Sequence, residues 1–360
     1  MQNRRIPLWS IVSPVVAAAL LELALLFPMG AVLGLLCFAG LVAAVQAAVH
    51  HAEVVAHRVG EPFGALVLAI AITIIEVALI VTLMLAGGHE KATLPRDTVF
   101  SAIMIICNGL IGLCLLIGGL RHREQSFHVV GANAALATLV ALTTLSLVLP
   151  GFTTSSPGPT YSSAQLTFAA VASIVLWGVF VFVQTVRHRD YFLPVSNVAD
   201  EDAHAPPPSN KQALASFGLL FLSLIAVVGL AKVISPGIEA AVVAAGEPRT
   251  VVGVAIAILV LLPETWAAVR AARANRIQTS MNLALGSALA SIGLTIPAVA
   301  FTSMIIGVPL VLGLDAKDLV LLLLTFLITA LTLVTGRTHV MLGAVHLVIF
   351  AAFLFLALVP

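Results

Sequence analysis

Long apolar runs separated by short polar breaks extend along most of this chain of 360 residues. Each run is about 20 residues long, which is the length that an α-helix needs to cross the hydrocarbon core of a bilayer. The runs predict eleven spans, at about 8–27, 30–49, 62–86, 98–119, 131–150, 166–186, 213–235, 249–272, 279–304, 317–335 and 339–358. The pattern therefore predicts an all-α polytopic membrane protein.

The composition agrees with a chain that lies in a bilayer. Hydrophobic residues make up 61% of the chain and charged residues only 9%, which is far from the average of soluble globular domains. The net charge of +1 offers no basic face, so the composition argues against a nucleic-acid partner. The three cysteines all fall inside apolar runs, where they predict neither a disulfide framework nor a metal site.

The basic residues predict the orientation of the chain. If the N-terminus lies in the cytoplasm, twelve of the 17 Lys and Arg residues fall in segments on the cytoplasmic side. The positive-inside rule therefore favours a cytoplasmic N-terminus and an outside C-terminus. The first apolar run follows a basic flank but shows no clear small-residue cleavage site, so we interpret it as a retained helix and not as a signal peptide.

The longest break in hydrophobicity contains three consecutive prolines and divides the chain into two halves. It predicts an extra N-terminal helix, two five-helix repeats and a cytoplasmic linker between them, at 1–29, 30–186, 213–360 and 187–212 respectively. Because each repeat has an odd number of spans, equivalent elements have opposite orientations in the membrane. Inverted repeats of this kind are typical of secondary transporters, whose substrate binds near the midplane where the repeats meet.

A short motif marks equivalent positions in the two halves. Gly-Glu-Pro occurs at 60–62 and again at 246–248, and an intramembrane glutamate follows each proline after 14 to 16 residues. These glutamates are Glu76 and Glu264. The spacing supports an internal repeat in which each half contributes one acid.

The two glutamates are the principal candidate functional residues. An acidic side chain at the centre of a membrane helix costs about 2.5 to 3.5 kcal/mol, so such residues usually serve function. Glu76 has no basic residue within helical reach, and Glu264 follows Pro263, which leaves the carbonyl of Leu259 without its helical donor. We expect both carboxyls to bind cations and protons, with the released carbonyl as a further cation ligand.

Other polar side chains inside the spans are candidate oxygen ligands. A Ca²⁺ ion takes about six to eight oxygen ligands, which carboxylates, amides, hydroxyls and carbonyls can supply. Buried Ser, Thr and Asn also hydrogen-bond neighbouring membrane helices to one another, and this purely structural role stays open for each candidate. The candidates are Thr73, Asn108, Asn282, Ser287 and Ser291.

A histidine cluster follows the second span. His50, Glu53 and His57 share one helical face by their spacing, and His51 is adjacent. The segment has three interpretations: a solvated interfacial helix, an entry point for protons or cations, and a catalytic metal site. It contains no HExxH pattern, which a zinc-dependent protease would require.

Glu61 and Glu247 in the repeated Gly-Glu-Pro motif have two interpretations. They would attract cations if they lie at the two mouths of a transport path. Acidic residues and prolines are also common where helices begin, because they complement the helix dipole. A short acidic patch in the linker, at 200–204, is either a cation sensor or a solvated loop.

Four segments resemble the ChaA-type bacterial calcium/proton exchangers of the calcium/cation antiporter superfamily. They are 50–81, 118–150, 262–299 and 335–356. The resemblance implies eleven helices, with Glu76 and Glu264 as the cation- and proton-binding acids and Asn108 and Ser287 as supporting polar residues. Many members have Gly-Asn shortly before each acid, where this chain has Ile-Thr and Leu-Leu, and Ala290 replaces a common glutamine, so the transported ion stays open.

We therefore expect a secondary active antiporter that exports a cytosolic cation, foremost Ca²⁺, in exchange for protons by alternating access. It would reside in the bacterial cytoplasmic membrane, and its partners would be inorganic cations, protons and lipid, without a cofactor or enzymatic activity. Three alternatives stay open: exchange of Na⁺ or K⁺ for protons, a passive cation channel, and a membrane enzyme that binds a metal through the histidine cluster.

Overall fold

A computed structural model describes residues 7–60, 63–87, 92–193, 208–244, 246, 250–308 and 310–359. Helices follow the apolar runs, because a bilayer offers no water to satisfy backbone N–H and C=O groups and a helix satisfies them internally. The α-helices are α1 (Leu8–Leu26), α2 (Ala31–Val59), α3 (Phe63–Gly87), α4 (Leu94–Met104), α5 (Ile111–His122), α6 (Val129–Thr143), α7 (Ser163–Phe182), α8 (Asn210–Ala244), α9 (Thr250–Arg273), α10 (Ile277–Ala290), α11 (Ile296–Ile306), α12 (Ala316–Val334) and α13 (Val340–Leu358).

Several of these helices are joined by tighter or wider turns into longer spans. π-helical turns at Ile105–Leu110 and Ser291–Thr295 connect α4 to α5 and α10 to α11. Within the described ranges, ten helices are long and apolar enough to cross a bilayer, and α3 adds the shorter apolar stretch Ile70–Leu85. The predicted all-α polytopic fold of about eleven membrane helices is confirmed.

Other short elements lie at the ends of spans. A π-helical turn and a 3₁₀ turn extend α6 to Phe152, and a π-helical turn extends α7 to Arg187. A 3₁₀ turn follows at Arg189–Phe192. The two strands, β1 (Gln125–Ser126) and β2 (Arg337–Thr338), form one antiparallel pair.

The helices group into two compact units. The first unit contains α1, α2, α3 and α8. Its helices approach closely at glycines: a side-chain carbon on Gly40 would overlap Leu20 of α1, and one on Gly229 would overlap Leu21. Small residues at such crossings let membrane helices pack by van der Waals contact.

The second unit contains α4 to α7 and α9 to α13. Its centre is formed by the spans Leu94–His122 and Ile277–Ile306, whose most apolar windows are 78% and 61% buried. No other candidate span in the described ranges is buried to that extent. These two spans also contain the π-helical turns that connect α4 to α5 and α10 to α11.

The structure differs from the sequence prediction at the ends of elements. Helix α2 continues to Val59, beyond the predicted end at 49, because the segment with the histidines keeps helical hydrogen bonding and packs against α1. Each compact unit draws helices from both halves of the sequence. The division into two repeats at the linker stays a prediction.

Candidate functional site

In the first unit, Glu76 lies in α3 and is 3% exposed. It is the sole charged residue of a helix otherwise made of apolar residues, threonine and glycine. Thr73 lies one helical turn earlier and is also buried. Their separation of three residues places both on one side of the helix, so a hydroxyl oxygen accompanies the carboxyl.

In the second unit, Glu264 lies in α9 and is 8% exposed, and both of its carboxyl oxygens are shielded from solvent. The helix is continuous through Pro263, although proline cannot donate to the carbonyl of Leu259. The hydroxyl of Thr265 donates to the carbonyl of Leu261 at 2.7 Å. The carboxyl of Glu264 therefore lies next to a position where one backbone hydrogen bond of the helix is missing.

Asn108 lies in the π-helical turn Ile105–Leu110 and is fully buried. Its Nδ2 donates to Oγ1 of Thr325 on α12 at 2.8 Å, and its Oδ1 lies 3.2 Å from Nδ1 of His346 on α13. The other ring nitrogen of His346, Nε2, lies 3.0 Å from Oγ1 of Thr332. Three helices thus share one chain of buried hydrogen bonds.

Sequence reasoning identified Asn108 but missed His346, Thr325 and Thr332. A signal was present in α12, where Thr325, Thr329 and Thr332 follow one another at spacings of four and three residues and so share one helical face. All three threonines are fully buried. A polar stripe on an apolar span indicates a buried partner, but the stripe alone does not say which residue that partner is.

The remaining predicted oxygen ligands lie in the span Ile277–Ile306. Ser287 is half-buried, whereas Ser291 is buried and begins the π-helical turn Ser291–Thr295. Asn282 is half-buried and uses both ends of its amide: Nδ2 donates to the carbonyl of Phe192 at 2.6 Å, and Oδ1 accepts from Nε2 of Gln278 at 2.9 Å. Cation binding by these three side chains stays a prediction, and for Asn282 the two amide contacts favour the alternative structural role.

A second buried polar cluster lies at the beginning of α4 and was not predicted. The guanidinium of Arg96 contacts the carboxylate of Asp97 at 2.9 Å, donates to the carbonyl of Gly313 at 2.9 Å, and lies 3.7 Å from Asp315. Asp318, in the first turn of α12, is also buried. The neighbouring opposite charges explain how ionisable groups lie inside the protein at this end of the span.

The histidine cluster lies on α2 in the first unit. Nε2 of His51 is 2.8 Å from the carbonyl oxygen of Ser10 on α1, and the ring of His50 contacts that of Trp9 at 5.2 Å. Glu53 and His57 are exposed. In the described part of the chain, no three His, Cys, Asp or Glu side chains are grouped as a metal site requires. The acids Glu61 and Glu247 and the acidic linker patch lie outside the described residues.

Comparison with known proteins decides the family. The model of the family described as "Sodium/calcium exchanger protein" matches residues 29–186 and again 215–359. The chain belongs to this exchanger family. The two matched ranges lie on either side of the segment 187–214.

Relatives of the exchanger match most of the chain. It is 51% identical to a Sinorhizobium fredii protein named "Putative ionic transporter y4hA", over 100% of the chain and 98% of the relative. It is 35% identical to the sodium-potassium/proton antiporter ChaA of Escherichia coli, over 96% of the chain and 94% of the relative. A Ca²⁺/H⁺ antiporter of Aphanothece halophytica is 24% identical over 75% of each chain.

Solved structures share the fold of the exchanger. The structure of native YfkE superposes with a TM-score of 0.75 at 17% identity and covers 98% of this chain and 100% of that chain. The H⁺/Ca²⁺ exchanger CAX gives a TM-score of 0.70 at 15% identity and covers 96% of this chain and 87% of that chain. At such identities the likeness establishes the architecture alone.

Proposed function

We propose that this exchanger couples the movement of an inorganic cation to that of protons, and that the carboxyls of Glu76 and Glu264 bind both. One observation carries the proposal: each half of the sequence buries one glutamate in an apolar helical stretch, at 3% and 8% exposure. Acids at membrane depth are costly, and they mark ion pathways and proton relays. A carboxyl group can hold a proton or a cation, which is the chemical requirement for exchange.

Competition between the two ligands gives the cycle its direction. A protonated carboxyl is a poor cation ligand, so a proton that binds from one side favours release of the cation. When the carboxyl is exposed to the other side, loss of the proton restores cation binding. Apparent cation affinity should therefore fall as the pH on the cation-binding side falls.

Ca²⁺ is the first candidate ion on chemical grounds. It prefers oxygen ligands, and carboxylate, amide, hydroxyl and backbone carbonyl oxygens are the groups found at Glu76, Asn108, Thr73 and the stretch before Glu264. Na⁺ and K⁺ are the second candidates, because the relative at 35% identity is named a sodium-potassium/proton antiporter. Both possibilities describe one mechanism with different ions.

The test is transport by the full chain in proteoliposomes under an imposed pH gradient, with Ca²⁺, Na⁺ and K⁺ supplied one at a time. We expect cation flux that requires the pH gradient and is accompanied by counter-movement of protons. Cation flux that continues at the same rate without proton movement would identify a passive channel instead. The ion that gives the highest ratio of kcat to KM is the preferred substrate.

A further inference from the structure

We infer that His346 is a positioning residue. As a neutral imidazole it fixes the orientation of the Asn108 side-chain amide, so that the amide oxygen of Asn108 can bind a cation. The inference rests on the proposed function, in which Asn108 supplies one of the cation's oxygen ligands. His346 itself then neither binds the cation nor carries the transported proton. Its contribution passes through a hydrogen bond to a residue on another helix.

The direction of each hydrogen bond in the chain follows from Thr325. Its hydroxyl donates its one hydrogen to the backbone carbonyl of Leu321 at 2.7 Å. The oxygen of that hydroxyl can then only accept from Asn108, at 2.8 Å, which requires the amide nitrogen of Asn108 to face Thr325. The amide oxygen of Asn108 consequently faces His346.

The same logic assigns the hydrogen on the ring of His346. Because an amide oxygen can only accept, Nδ1 of His346 must carry a hydrogen and donate it across the 3.2 Å to Asn108. In a neutral imidazole with a hydrogen on Nδ1, Nε2 is an acceptor, and the hydroxyl of Thr332 lies 3.0 Å away as its donor. Every donor in the chain meets an acceptor with His346 uncharged.

The partners of the ring support the neutral form. The groups that hydrogen-bond the ring, which are the side chains of Asn108 and Thr332 and the backbone of Cys107, are uncharged, and His346 is fully buried. Burial of an imidazolium without an anionic partner would be costly, whereas the neutral ring is fully satisfied here. The network therefore favours a single orientation of the His346 ring and of the Asn108 amide.

The geometry matters because the two ends of an amide differ in chemistry but hardly in size. An amide oxygen has two lone pairs, and His346 uses one of them, which leaves the second for a cation. If the ring or the hydroxyl of Thr325 were missing, the amide could rotate and present its NH₂ group. The π-helical turn that carries Asn108 is also a feature often found at functional sites.

A purely structural role for the network makes a different prediction. Hydrogen bonds that only join helices would change stability when removed, without a selective change in apparent cation affinity. Thr329 provides the matched control: it is fully buried on the same face of α12, and its hydroxyl donates to the carbonyl of Thr325 within the helix. Thr329→Val removes a buried hydroxyl that donates to a backbone carbonyl, and it keeps the side-chain hydrogen bonds that Thr325, Asn108, His346 and Thr332 make with one another.

The experiment measures initial rates against cation concentration for the full chain in proteoliposomes, with the ion that the transport assay identifies. Thr325→Val and His346→Leu should raise KM about 3- to 15-fold, the range expected for membrane hydrogen bonds, with kcat little changed. Thr325→Ser and Thr329→Val should keep the wild-type KM. His346→Gln, which cannot titrate, should keep proton-coupled exchange and the wild-type pH midpoint.

The outcomes separate this inference from the function on which it rests. If Asn108→Ala raises KM but Thr325→Val and His346→Leu do not, the positioning role is refuted while the ligand role of Asn108 stands. If Asn108→Ala leaves KM unchanged, the ligand role fails and the inference fails with it. Loss of proton coupling in His346→Gln would show that His346 carries a proton, and an equal rise of KM in Thr329→Val would show a general packing effect.

Discussion

The side-chain amide of Asn282 donates a 2.6 Å hydrogen bond to the backbone carbonyl of Phe192. Phe192 ends the 3₁₀ turn that follows α7, and Asn282 lies in α10 of the second half of the sequence. The backbone of Gly131 at the start of α6 also contacts Tyr191 so closely that any side chain there would overlap it. The segment Arg189–Phe192 is thereby held against both α6 and α10.

This attachment predicts a stability effect for Asn282→Ala. The variant removes the donor to the carbonyl of Phe192 and the acceptor for the amide nitrogen of Gln278, which we expect to cost about 1 to 2 kcal/mol. Thermal unfolding of the detergent-solubilised protein should shift to lower temperature while KM for the cation stays unchanged. A rise of KM with unchanged stability would instead establish Asn282 as a cation ligand.

The two buried glutamates predict that Glu76→Gln and Glu264→Gln each abolish exchange. Glutamine has a similar shape but cannot bind or release a proton, and loss of one member of a buried charge interaction costs about 2 to 5 kcal/mol. Transport rates should fall at least about 30-fold, with normal insertion into the membrane.

A third glutamate provides the matched control. Glu22 also lies in a membrane helix, α1, but its side chain is exposed, so Glu22→Gln should transport at the wild-type rate. Wild-type rates in either Glu76→Gln or Glu264→Gln would remove that residue from the mechanism. A loss in Glu22→Gln equal to theirs would show that the assay reports folding and not ion binding.

The number of acids predicts electroneutral Ca²⁺ exchange. If both glutamate carboxyls release a proton for each divalent cation that binds, the cycle moves no net charge. An uncompensated elementary charge would gain or lose about 2.3 kcal/mol across 100 mV. The initial Ca²⁺ flux should therefore stay constant when the potential alone is changed with K⁺ and valinomycin, in a preparation already assayed for K⁺ transport. A steep voltage response would require another stoichiometry or charge carrier.

The histidine cluster predicts only a modest effect on transport. His51 contacts the carbonyl of Ser10 on α1, and His57 is exposed. We therefore expect the cluster to support the packing of α2 and not to bind the transported cation. Replacement of His50, His51 and His57 together by Gln should lower the rate by no more than roughly threefold, the effect of about one membrane hydrogen bond. Complete loss of transport with normal insertion would show that the cluster takes part in ion or proton entry.

The helices could be predicted from the sequence because the bilayer imposes a length and an apolar composition on each of them. The buried glutamates could be predicted for the same reason, since a charge in an apolar run is conspicuous. The partner of Asn108 could not, because His346 is 238 residues away and only the packing of α13 brings it near. The partner of Asn282 is a backbone carbonyl at Phe192, which no side-chain pattern reveals.

The ends of helices were also hard to predict. Polarity placed the end of the second span before His50, but helix α2 continues because His51 has a hydrogen-bond partner on α1. The fourth predicted span begins at 98, but helix α4 begins at Leu94 and includes Arg96 and Asp97, which are both buried and pair with each other. In both places a contact with another part of the chain compensates the free-energy cost of burying a polar side chain.

The glycines between α5 and α13 have a mechanical consequence. A side-chain carbon on Gly343 would lie 2.5 Å from the backbone nitrogen of Leu116, and one on Gly112 would lie 2.9 Å from Cβ of His346. The two backbones are so close that neither helix can slide along the other without first separating. We therefore expect α5 and α13 to travel as one rigid pair through the transport cycle, with the imidazole of His346 at a fixed height against α5.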